Sequence, residues 1–481
     1  MTFDVVVCGA GLSGGLPCAA YLQKAGLRVA LVEARPRTGE FFRSYEFGGQ
    51  RFDHSPVNFS CLSPALLDLD LESYGYSIEL PRVLYSAISG DRTRTLYADP
   101  ALTRAELGRD GDAFVSLLRG LRGRSRALLK EIAFTPEPNL ERASALTAEA
   151  VGFDVAAMSG VELVESLFET DEARVVLTAL PAINLFGDLL EPGQGALAWL
   201  WTYLLRACEA RGGNGTLVDA LERCFVQEGG TLLVGRVVRE LRVSGGECVG
   251  VTLDDGTRVD GDAVVSNLGA RLTGELLGEP LRPEWRSAAR TVMTADLVLR
   301  EPPRWQFADS PRVYLLWESW DACKRWLHGA REEDEETFYG HWELTQYGPR
   351  ALRVRFGTGP YLDDGWDERR GHVTAQLRER LAPFGLQIEA MQLKTPLDHW
   401  RENSAAVHGN PVGGDFVPGQ WLGERVAYRT GVSRLYASNS VWPPALSWLG
   451  AGYNAAIVVA EDLGLRRPEW WRHEPGSWLA R

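Results

Sequence analysis

The chain has too few basic residues to balance its acidic ones. Lys and Arg together number 51, whereas Asp and Glu number 64, which leaves a net charge of −13 at pH 7. A negative surface repels the phosphates of nucleic acids and of anionic lipids. We therefore expect no nucleic-acid partner and a small molecule as the substrate.

Cysteine is scarce, and its spacing does not match that of disulfide frameworks or metal sites. The seven cysteines are an odd number and show no CxxC or Cys/His spacing. This pattern argues against a disulfide framework or a metal site and is typical of reduced thiols in the cytoplasm. Because the first predicted strand begins within four residues, without a basic and apolar leader, we expect no cleaved signal peptide and a cytoplasmic protein.

Long apolar runs are missing as well. The longest, "GALAWLWTYLL" at 195–205, has about half the length that crosses a bilayer. It predicts a buried helix and no integral membrane segment. An interfacial contact that collects an apolar substrate is the alternative.

What the sequence does have is a glycine-rich turn between a strand and a helix. Val5–Val7 are β-branched, the turn "GAGLSG" spans Gly9–Gly14, a helix runs to about Lys24, and Leu27–Val32 predicts the next strand. In such a βαβ unit the first glycine makes the tight turn, the second admits a pyrophosphate, and the third lets helix and strand pack closely. The pattern predicts a dinucleotide site with the phosphates at the helix N-terminus.

Two residues near the turn extend this prediction. Glu33 lies 19 residues after Gly14, at the end of the second strand, where a carboxylate accepts hydrogen bonds from ribose hydroxyls. Pro17 removes one helix hydrogen bond and would clash with the carbonyl of Ser13, so we expect a local kink there.

Two later stretches repeat the α/β pattern. Between about 213 and 267 lie the helix "TLVDALERCFVQEGG", the strand "TLLVGRVVRELRV" and a hairpin, with turns at Gly245–Gly246 and Asp255–Gly256. "LYASN" at 435–439 then predicts a short strand, and a helix is expected at about 451–463. The nucleotide-binding domain is therefore expected to be assembled from three segments.

The expected fold class is α/β, a Rossmann-type domain with an inserted α+β substrate domain. We assign 1–84, 212–285 and 425–481 to the nucleotide-binding domain and 85–211 and 286–424 to the substrate domain. The first insertion is helical in pattern, whereas the second holds strand-like stretches such as "RVYLLW" and "ALRVRF".

Three stretches resemble segments of one enzyme group. They are the N-terminal "VVVCGAGLSGGLPCAAYLQKAGLRVALVEAR", "GGQRFDHSPVNF" at 48–59 and "LYASNSVWPPALSWLGAGYNAA" at 435–456, with "VVSN" at 264–267 as a weaker match. Together they resemble the FAD-dependent phytoene desaturase and carotenoid isomerase group of the amine oxidase superfamily. The resemblance implies an FAD-dependent oxidoreductase with a Rossmann-type FAD-binding domain.

The resemblance also implies which residues hold FAD. The glycines of the turn would hold the pyrophosphate, Glu33 the adenosine ribose, and Val237 would lie near the adenine. Asp53 would lie along the isoalloxazine, with the loop 442–448 on its other side. The implied cofactor-binding residues are Gly9, Gly11, Leu12, Ser13, Gly14, Glu33, Ala34, Arg35, Arg43, Asp53, Ser55, Pro56, Val237, Asn267, Ser440, Trp448 and Gly450.

Two loops depart from the pattern of that group. "TGEFFRS" has Glu40 and Phe41 where the group has a glycine and an arginine, so Arg43 or Arg35 would compensate the phosphate charge. "VWPPALSWLG" replaces a glycine-rich flavin loop. Its bulk would reshape the cavity above the flavin, which argues against a long linear carotenoid as the substrate.

Several side chains are candidates for the chemistry. His54, inside the second matching stretch, is expected to accept a proton or to orient the substrate; a covalent flavin link and a structural hydrogen bond are the alternatives. His399 and His408 are further candidate proton acceptors, and Tyr453 is a candidate for contact with flavin or substrate. A base near neutral pH requires a suitably placed pKa.

Tryptophans suggest the nature of the substrate. Trp317, Trp400 and Trp442 are expected to line a pocket for an aromatic or polycyclic molecule by stacking, with core packing as the alternative. No second dinucleotide turn follows a strand, so we expect the electrons to pass to an external acceptor such as oxygen or a quinone.

The function expected is a dehydrogenase or desaturase that transfers hydride from an apolar or aromatic small molecule, such as a specialised metabolite, to FAD. A flavin amine oxidase is one alternative, with Lys394 as the plausible active-site lysine, and an isomerase that needs reduced FAD is another. A non-catalytic protein like the Rab escort and dissociation-inhibitor proteins is a third. The intact Gly9–Gly14 turn and Glu33 argue against it.

Overall fold

The computed structural model describes most of the chain. The described residues are 1–39, 42–53, 58–184, 187–282, 284–287, 291–303, 310, 312–332, 341–358, 361, 364–410, 412–444 and 449–480. The predictions for Glu40, Phe41, His54, Ser55, Pro56 and Trp448 lie outside these residues.

Strands occur along the whole chain. They are β1 (Thr2–Cys8), β2 (Val29–Glu33), β3 (Tyr45–Phe47), β4 (Gln50–Phe52), β5 (Ile78–Glu79), β6 (Val83–Ser89), β7 (Arg92–Tyr97), β8 (Glu209–Ala210), β9 (Thr231–Val234), β10 (Val238–Ser244), β11 (Glu247–Leu253), β12 (Arg258–Ser266), β13 (Thr291–Leu299), β14 (Arg312–Leu315), β15 (Trp342–Gly348), β16 (Ala351–Thr358), β17 (Ile388–Lys394) and β18 (Leu435–Ala437).

Helices alternate with these strands. They are α1 (Gly15–Lys24), α2 (Ala65–Asp68), α3 (Pro100–Leu107), α4 (Gly111–Gly123), α5 (Ser125–Ala133), α6 (Leu140–Val151), α7 (Gly160–Leu167), α8 (Asp171–Asn184), α9 (Gln194–Leu204), α10 (Gly215–Gln227), α11 (Gly269–Leu277), α12 (Trp320–Glu332), α13 (Trp366–Leu381), α14 (Pro396–Glu402) and α15 (Gly450–Asp462).

The first sheet is built around β1, whose Val5, Val6 and Val7 are fully buried. Its order is β10-β11-β12-β1-β2-β9, and β18 pairs with the C-terminal half of β12. The strands β18, β12, β1, β2 and β9 run parallel to one another, whereas β11 pairs antiparallel with β12 and β10 antiparallel with β11. Apolar strands of this kind belong to a sheet covered on both faces. The predicted α/β fold is confirmed, with strands from three separated stretches of chain.

The second sheet has the order β17-β13-β16-β15-β14-β6-β7. One face packs Leu297, Leu344 and Val354 against the apolar side of α13. The opposite face carries buried charged side chains, among them Asp296 and Arg353. Because β6 and β7 belong to the first insertion, that insertion is not helical throughout, contrary to the prediction from its pattern.

The stretch 231–243, predicted as one strand, forms two. Gly235 adopts a φ of +66°, and its N–H donates to the carbonyl of Arg35 at 2.8 Å. β9 therefore lies parallel to β2, whereas β10 pairs antiparallel with β11. The turn also lets the N–H of Arg236 donate to the carbonyl of Glu33 at 2.9 Å, which brings this segment to the end of β2.

Pro17 does not kink its helix. It is the third residue of α1, in the first turn, where N–H groups have no intrahelical acceptor. The carbonyl of Ser13 instead accepts a hydrogen bond from the N–H of Gly452 at 3.0 Å. α1 runs from Gly15 to Lys24, so the predicted kink is wrong.

The apolar run 195–205 forms the buried helix that was predicted. Every residue of α9 is buried. Within the ranges given above, no helix is long and apolar enough to cross a membrane.

Candidate cofactor site

A cavity of about 250 Å³ lies where the parallel strands of the first sheet end. Gly9 follows β1, Glu33 ends β2 and Asn267 follows β12, and all three line it. Ligands of open α/β sheets bind at this carboxyl edge. The cavity brings together the predicted residues Gly9, Gly11, Leu12, Ser13, Glu33, Ala34, Arg35, Val237 and Asn267.

The glycine turn is closed by contacts that only glycine allows. Gly9 has a φ of +93°, a left-handed conformation that disfavours side chains. A Cβ on Gly14 would lie 2.1 Å from the carbonyl oxygen of Ser438, and one on Gly15 would lie 1.8 Å from that of Gly9. At Gly11 the nearest atom to a Cβ would belong to a side chain, at 2.5 Å. Sequence reasoning identified the first, second and third glycines of the motif but missed Gly15.

Glu33 is held in place by two backbone groups. Its Oε2 accepts from the N–H of Ala10 at 2.8 Å, and its Oε1 accepts from the N–H of Arg35 at 2.9 Å. A carboxylate can accept about four hydrogen bonds, so each oxygen retains capacity for a ribose hydroxyl. The two N–H donors thus fix the carboxylate at the wall of the cavity.

Asn267 connects the glycine turn to the third segment of the sheet. Its N–H donates to the carbonyl of Cys8 at 2.8 Å, and its Oδ1 accepts from the hydroxyl of Ser438 at 3.3 Å. Ser440 contributes differently from its prediction, because its hydroxyl accepts from the N–H of Ala270 at 2.9 Å and so supports the start of α11. Its neighbour Asn439 lines the cavity instead.

These groups fit an adenine dinucleotide. The first turn of α1 contains no acidic residue, so its N–H groups are available to an anion without local repulsion. The side chain of Asn267 packs against Gly11, where a Cβ would lie 2.5 Å from its Nδ2, and the carboxylate of Glu33 suits a ribose. Val237, from the turn between β9 and β10, adds an apolar wall where the adenine was expected.

Arg43 does not face this cavity, so its predicted role is wrong. Its guanidinium forms ion pairs with Asp219 and with Glu222, the latter at 3.0 Å, and its Nε donates to the carbonyl of Thr38 at 2.8 Å. Two carboxylates of α10 therefore neutralise its charge. Arg35 does line the cavity.

Arg35 is itself bonded to the C-terminal end of α14. Its Nη2 donates to the carbonyls of Arg401, at 3.3 Å, and Glu402. Arg401 lines the cavity too, although no motif in the sequence indicated it. The two arginines bring positive charge to the side of the cavity formed by the end of this helix.

Asp53 is held in place by hydrogen bonds from three residues. It is 7% exposed, and its carboxylate accepts from the hydroxyl of Ser44 and from the N–H of Asn214 at 3.1 Å. Its carbonyl accepts from the guanidinium of Arg353. Asp53 was predicted to lie along the isoalloxazine with Ser55 and Pro56, and its contacts fix the chain where this stretch begins.

A buried polar cluster joins Asp53 to the second sheet. Arg353 forms a 2.7 Å ion pair with Asp296 and donates to the hydroxyl of Tyr45, which in turn donates to Asp296. The Nζ of Lys394 lies 4.9 Å from the centre of the Tyr45 ring. Sequence reasoning missed this cluster, because no local pattern distinguishes buried charges on a strand from exposed ones.

His399 is a poor candidate for a base near neutral pH. It is buried on α14, with its Nε2 3.1 Å from the hydroxyl of Thr294. Burial, with the positive charges of Lys394 and Arg353, lowers its pKa to about 3. The imidazole is neutral at pH 7 and binds a proton weakly, which counts against the predicted role.

Tyr453 and Gly450 belong to α15 and do not line the cavity. The Tyr453 ring lies 5.4 Å from that of Tyr21 and 5.8 Å from that of Phe134, and burial raises the pKa of its hydroxyl to about 12. A Cβ on Gly450 would lie 2.8 Å from the carbonyl oxygen of Ala133. The structure therefore places both in the core, contrary to their predicted contacts.

The predicted tryptophan pocket is not formed by its three members. Trp442 is buried and donates to the carbonyl of Ile132 at 2.5 Å. Trp317 is buried against Trp326, with ring centroids 5.1 Å apart. Large aromatic rings stabilise a core by the area that they bury. For Trp317 and Trp442 the alternative of core packing therefore describes the structure better than a substrate pocket does.

Trp400 lies elsewhere, in a surface groove between α11 and α14. The guanidinium of Arg271 lies 5.1 Å above its ring, and the ring of His408 lies 4.9 Å away. His408 and Trp400 line this groove and not the cofactor cavity.

Comparison with known proteins agrees with this geometry. The profile of the family described as flavin containing amine oxidoreductase matches residues 13–299. One component of the limonene dehydrogenase of Castellaniella defragrans is 25% identical, over 99% of this chain and 97% of its own length. The lycopene-forming phytoene desaturase of Pantoea ananas is 29% identical, over 54% of each chain.

A solved structure shows the same fold. Wild-type putrescine oxidase bound to putrescine superposes with a TM-score of 0.60 at 16% identity, and the match covers 96% of this chain and 99% of the other.

Proposed function

Because this chain belongs to the family of flavin containing amine oxidoreductases, it is an FAD-dependent oxidoreductase, and we propose that it dehydrogenates an apolar small molecule. The observation that carries the proposal is the similarity to the limonene dehydrogenase component over nearly the full length of both chains. That relative is named for the oxidation of limonene, which is an apolar molecule. A small molecule also agrees with the expectation from the net charge of the chain.

The residues of the first sheet would hold the cofactor. FAD, when bound, supplies the acceptor for a hydride. The N–H groups at the start of α1 hold its pyrophosphate, Glu33 holds the adenosine ribose, and Val237 lies beside the adenine. Arg35 and Arg401 offset the phosphate charge from the α14 side of the cavity.

The residues between the two sheets would position the reacting end. Arg353 holds the carbonyl of Asp53, and Asp53 holds Ser44 and Asn214. This network fixes Asp53, the first of the residues predicted to lie along the isoalloxazine with Ser55 and Pro56. The electrons then pass to an external acceptor, since no second dinucleotide motif is present in the sequence.

Amine oxidation receives less support. Lys394, the candidate lysine, lies with its Nζ 2.8 Å from Glu402, and its side chain is 9% exposed. It is absent from the lining of the cofactor cavity. The ammonium group of Lys394 is therefore engaged in an ion pair with Glu402 and does not face the cavity in which an amine would react.

Anaerobic bleaching of the flavin tests the proposal. The FAD-loaded protein is mixed with cyclic terpenes such as limonene and, separately, with amines such as putrescine and cyclohexylamine. Bleaching by a terpene, with a product lighter by two hydrogen atoms, is the expected result. Bleaching by amines alone would establish amine oxidation, and a product of unchanged mass made only by pre-reduced protein would establish isomerisation. Glu33→Ala, which lacks the ribose acceptor, is the control without bound flavin.

A further inference from the structure

A second cavity, of about 40 Å³, lies between β6 and the helices of the first insertion. None of its lining residues belongs to the cofactor cavity. Its apolar walls are formed by Phe59, Leu84, Phe114, Leu118, Leu180 and Leu205. It opens beside Leu80, which is 39% exposed.

Three arginines from distant parts of the chain converge on this cavity. Arg122 comes from α4, Arg206 follows α9, and Arg312 begins β14. Among the described residues, no carboxylate lies within 4.0 Å of any of these three guanidinium groups. Other described arginines, such as Arg28 and Arg142, do have such a partner, whereas this cavity brings together three that do not.

Arg312 is buried, Arg122 and Arg206 are half-buried, and the hydrogen-bonding capacity of the group is incompletely satisfied. Arg312 is 5% exposed and donates to the carbonyl of Leu84 at 3.2 Å. The Nε of Arg122 is buried and has no hydrogen-bond partner in the described part of the chain. Burial and the positive charge of Arg206 lower the pKa of Arg122. Buried like charges are unfavourable unless an anion is bound between them.

Other polar groups around the cavity do not supply that anion. The hydroxyls of Tyr85 and Tyr203 donate to the carbonyls of Val176, at 3.1 Å, and Leu177, at 2.5 Å. Glu209 interacts with Arg312 but does not line the cavity, and burial and the negative charge of Glu79 raise its pKa. The guanidinium groups are therefore the polar elements available to a ligand.

We propose that this cavity binds the carboxylate of an apolar acid. One water occupies about 10–15 Å³ by the same measure of volume, so 40 Å³ matches a group the size of a carboxylate. Arginine forks bind carboxylates through paired hydrogen bonds. The leucine and phenylalanine walls accommodate the adjoining carbons, and the opening at Leu80 lets a longer apolar body extend outward. The site requires no particular reaction at the flavin.

Calorimetric titration of the FAD-loaded protein with hexanoate tests the proposal. We expect stoichiometric binding of hexanoate and none of hexan-1-ol, which has the same apolar body without the charge. Arg122→Gln and, separately, Arg206→Gln should weaken hexanoate binding by about tenfold or more, because each removes a charge-assisted hydrogen bond. Arg119→Gln, on the exposed side of α4, is the matched control and should bind as the wild type does.

Several results would overturn the proposal. These are a folded wild-type protein that does not bind hexanoate, equal binding of hexanoate by both cavity variants and the wild type, and arginine-dependent binding of inorganic phosphate with no binding of hexanoate. Melting temperatures establish whether the variants are folded; the Nε of Arg122 makes no hydrogen bond in the described part of the chain, so Arg122→Gln breaks none at that atom. Anaerobic spectra then show whether the bound acid reacts. Bleaching of the flavin would identify it as a substrate analogue, and an unchanged spectrum would identify it as a non-reacting ligand. Either result is compatible with a carboxylate-binding site.

Discussion

Arg353 and Asp296 form an ion pair of 2.7 Å in which the side chains are 2% and 1% exposed. Arg353 also donates to the hydroxyl of Tyr45 and to the carbonyl of Asp53. One guanidinium therefore links the second sheet to the chain that leads into the predicted flavin-side segment.

Asp296→Asn should destabilise the protein strongly. Removing one member of a buried ion pair leaves the other charge uncompensated, at a cost of about 3–5 kcal/mol in the free energy of unfolding. Urea denaturation of the FAD-loaded protein measures the change. Asp321→Asn is the control, because the Asp321 carboxylate is 75% exposed in its pair with Lys324 and should contribute less than about 1 kcal/mol. Equal losses in the two variants would contradict the expectation.

Acid should destabilise the protein partly through His399. Its pKa falls from an ordinary 6.5 to about 3, so between these values the unfolded chain binds a proton that the folded chain does not. The free energy of unfolding therefore falls as the pH drops from about 6.5 towards 3, by about 1.4 kcal/mol per pH unit for this group.

His399→Gln removes that contribution. Between pH 6 and pH 4 we expect the slope of unfolding free energy against pH to decrease by about 1.4 kcal/mol per unit. Denaturant melts at a series of pH values give the slope. His372→Gln, at an exposed position of α13, is the matched control and should leave the slope unchanged. An unchanged slope in His399→Gln would show that the folded protein does protonate this imidazole.

Glu33→Gln should weaken FAD binding. The amide group presents an N–H₂ where a carboxylate oxygen now accepts from Ala10 or Arg35, so a donor meets a donor. Loss of a charged acceptor corresponds to about ten- to one-hundredfold weaker binding. Titration of the apoprotein with FAD measures it, and Glu46→Gln on the exposed side of β3 should retain the wild-type affinity.

Gly14→Ala should damage both flavin binding and stability. The new methyl group would lie 2.1 Å from the carbonyl oxygen of Ser438 and 2.2 Å from the Oδ1 of Asn267, so the turn must shift. Overpacking of this kind costs about 1–3 kcal/mol. Flavin absorbance per protein and thermal melts report the two effects. Gly123→Ala, where no atom lies within 4 Å of the new Cβ, should change neither.

The adenine end of the site could be predicted because the residues that identify it lie close together in the sequence. Gly9–Gly14 and Glu33 lie in one βαβ unit, and the lengths of one helix and one strand set the distance between them. Val237 and Asn267 come from distant stretches and required the family resemblance. Gly9, Gly11, Glu33, Val237 and Asn267 all line the cavity, whereas Gly14 packs behind the turn against Ser438.

Other residues could not be predicted because their partners are remote in sequence. Arg43 was expected to balance phosphates, but its ion-pair partner Asp219 lies 176 residues away. The alternation in "ALRVRF" predicted β16, yet it would place Arg353 and Arg355 in solvent. The rest of the molecule covers that face of the sheet, and Asp296 and Glu343 pair with the two arginines there.

The bond from Gly452 to Ser13 has a consequence for biosynthesis. The glycine turn leaves the ribosome long before α15 is synthesised. Residues Thr2–Cys8 of β1 pair with β12, so β1 also cannot complete its pairing until β12 has been synthesised. Domains with such distant pairings fold late, with apolar strands exposed in the meantime. Cofactor capture is therefore expected among the last events in the maturation of the nascent chain.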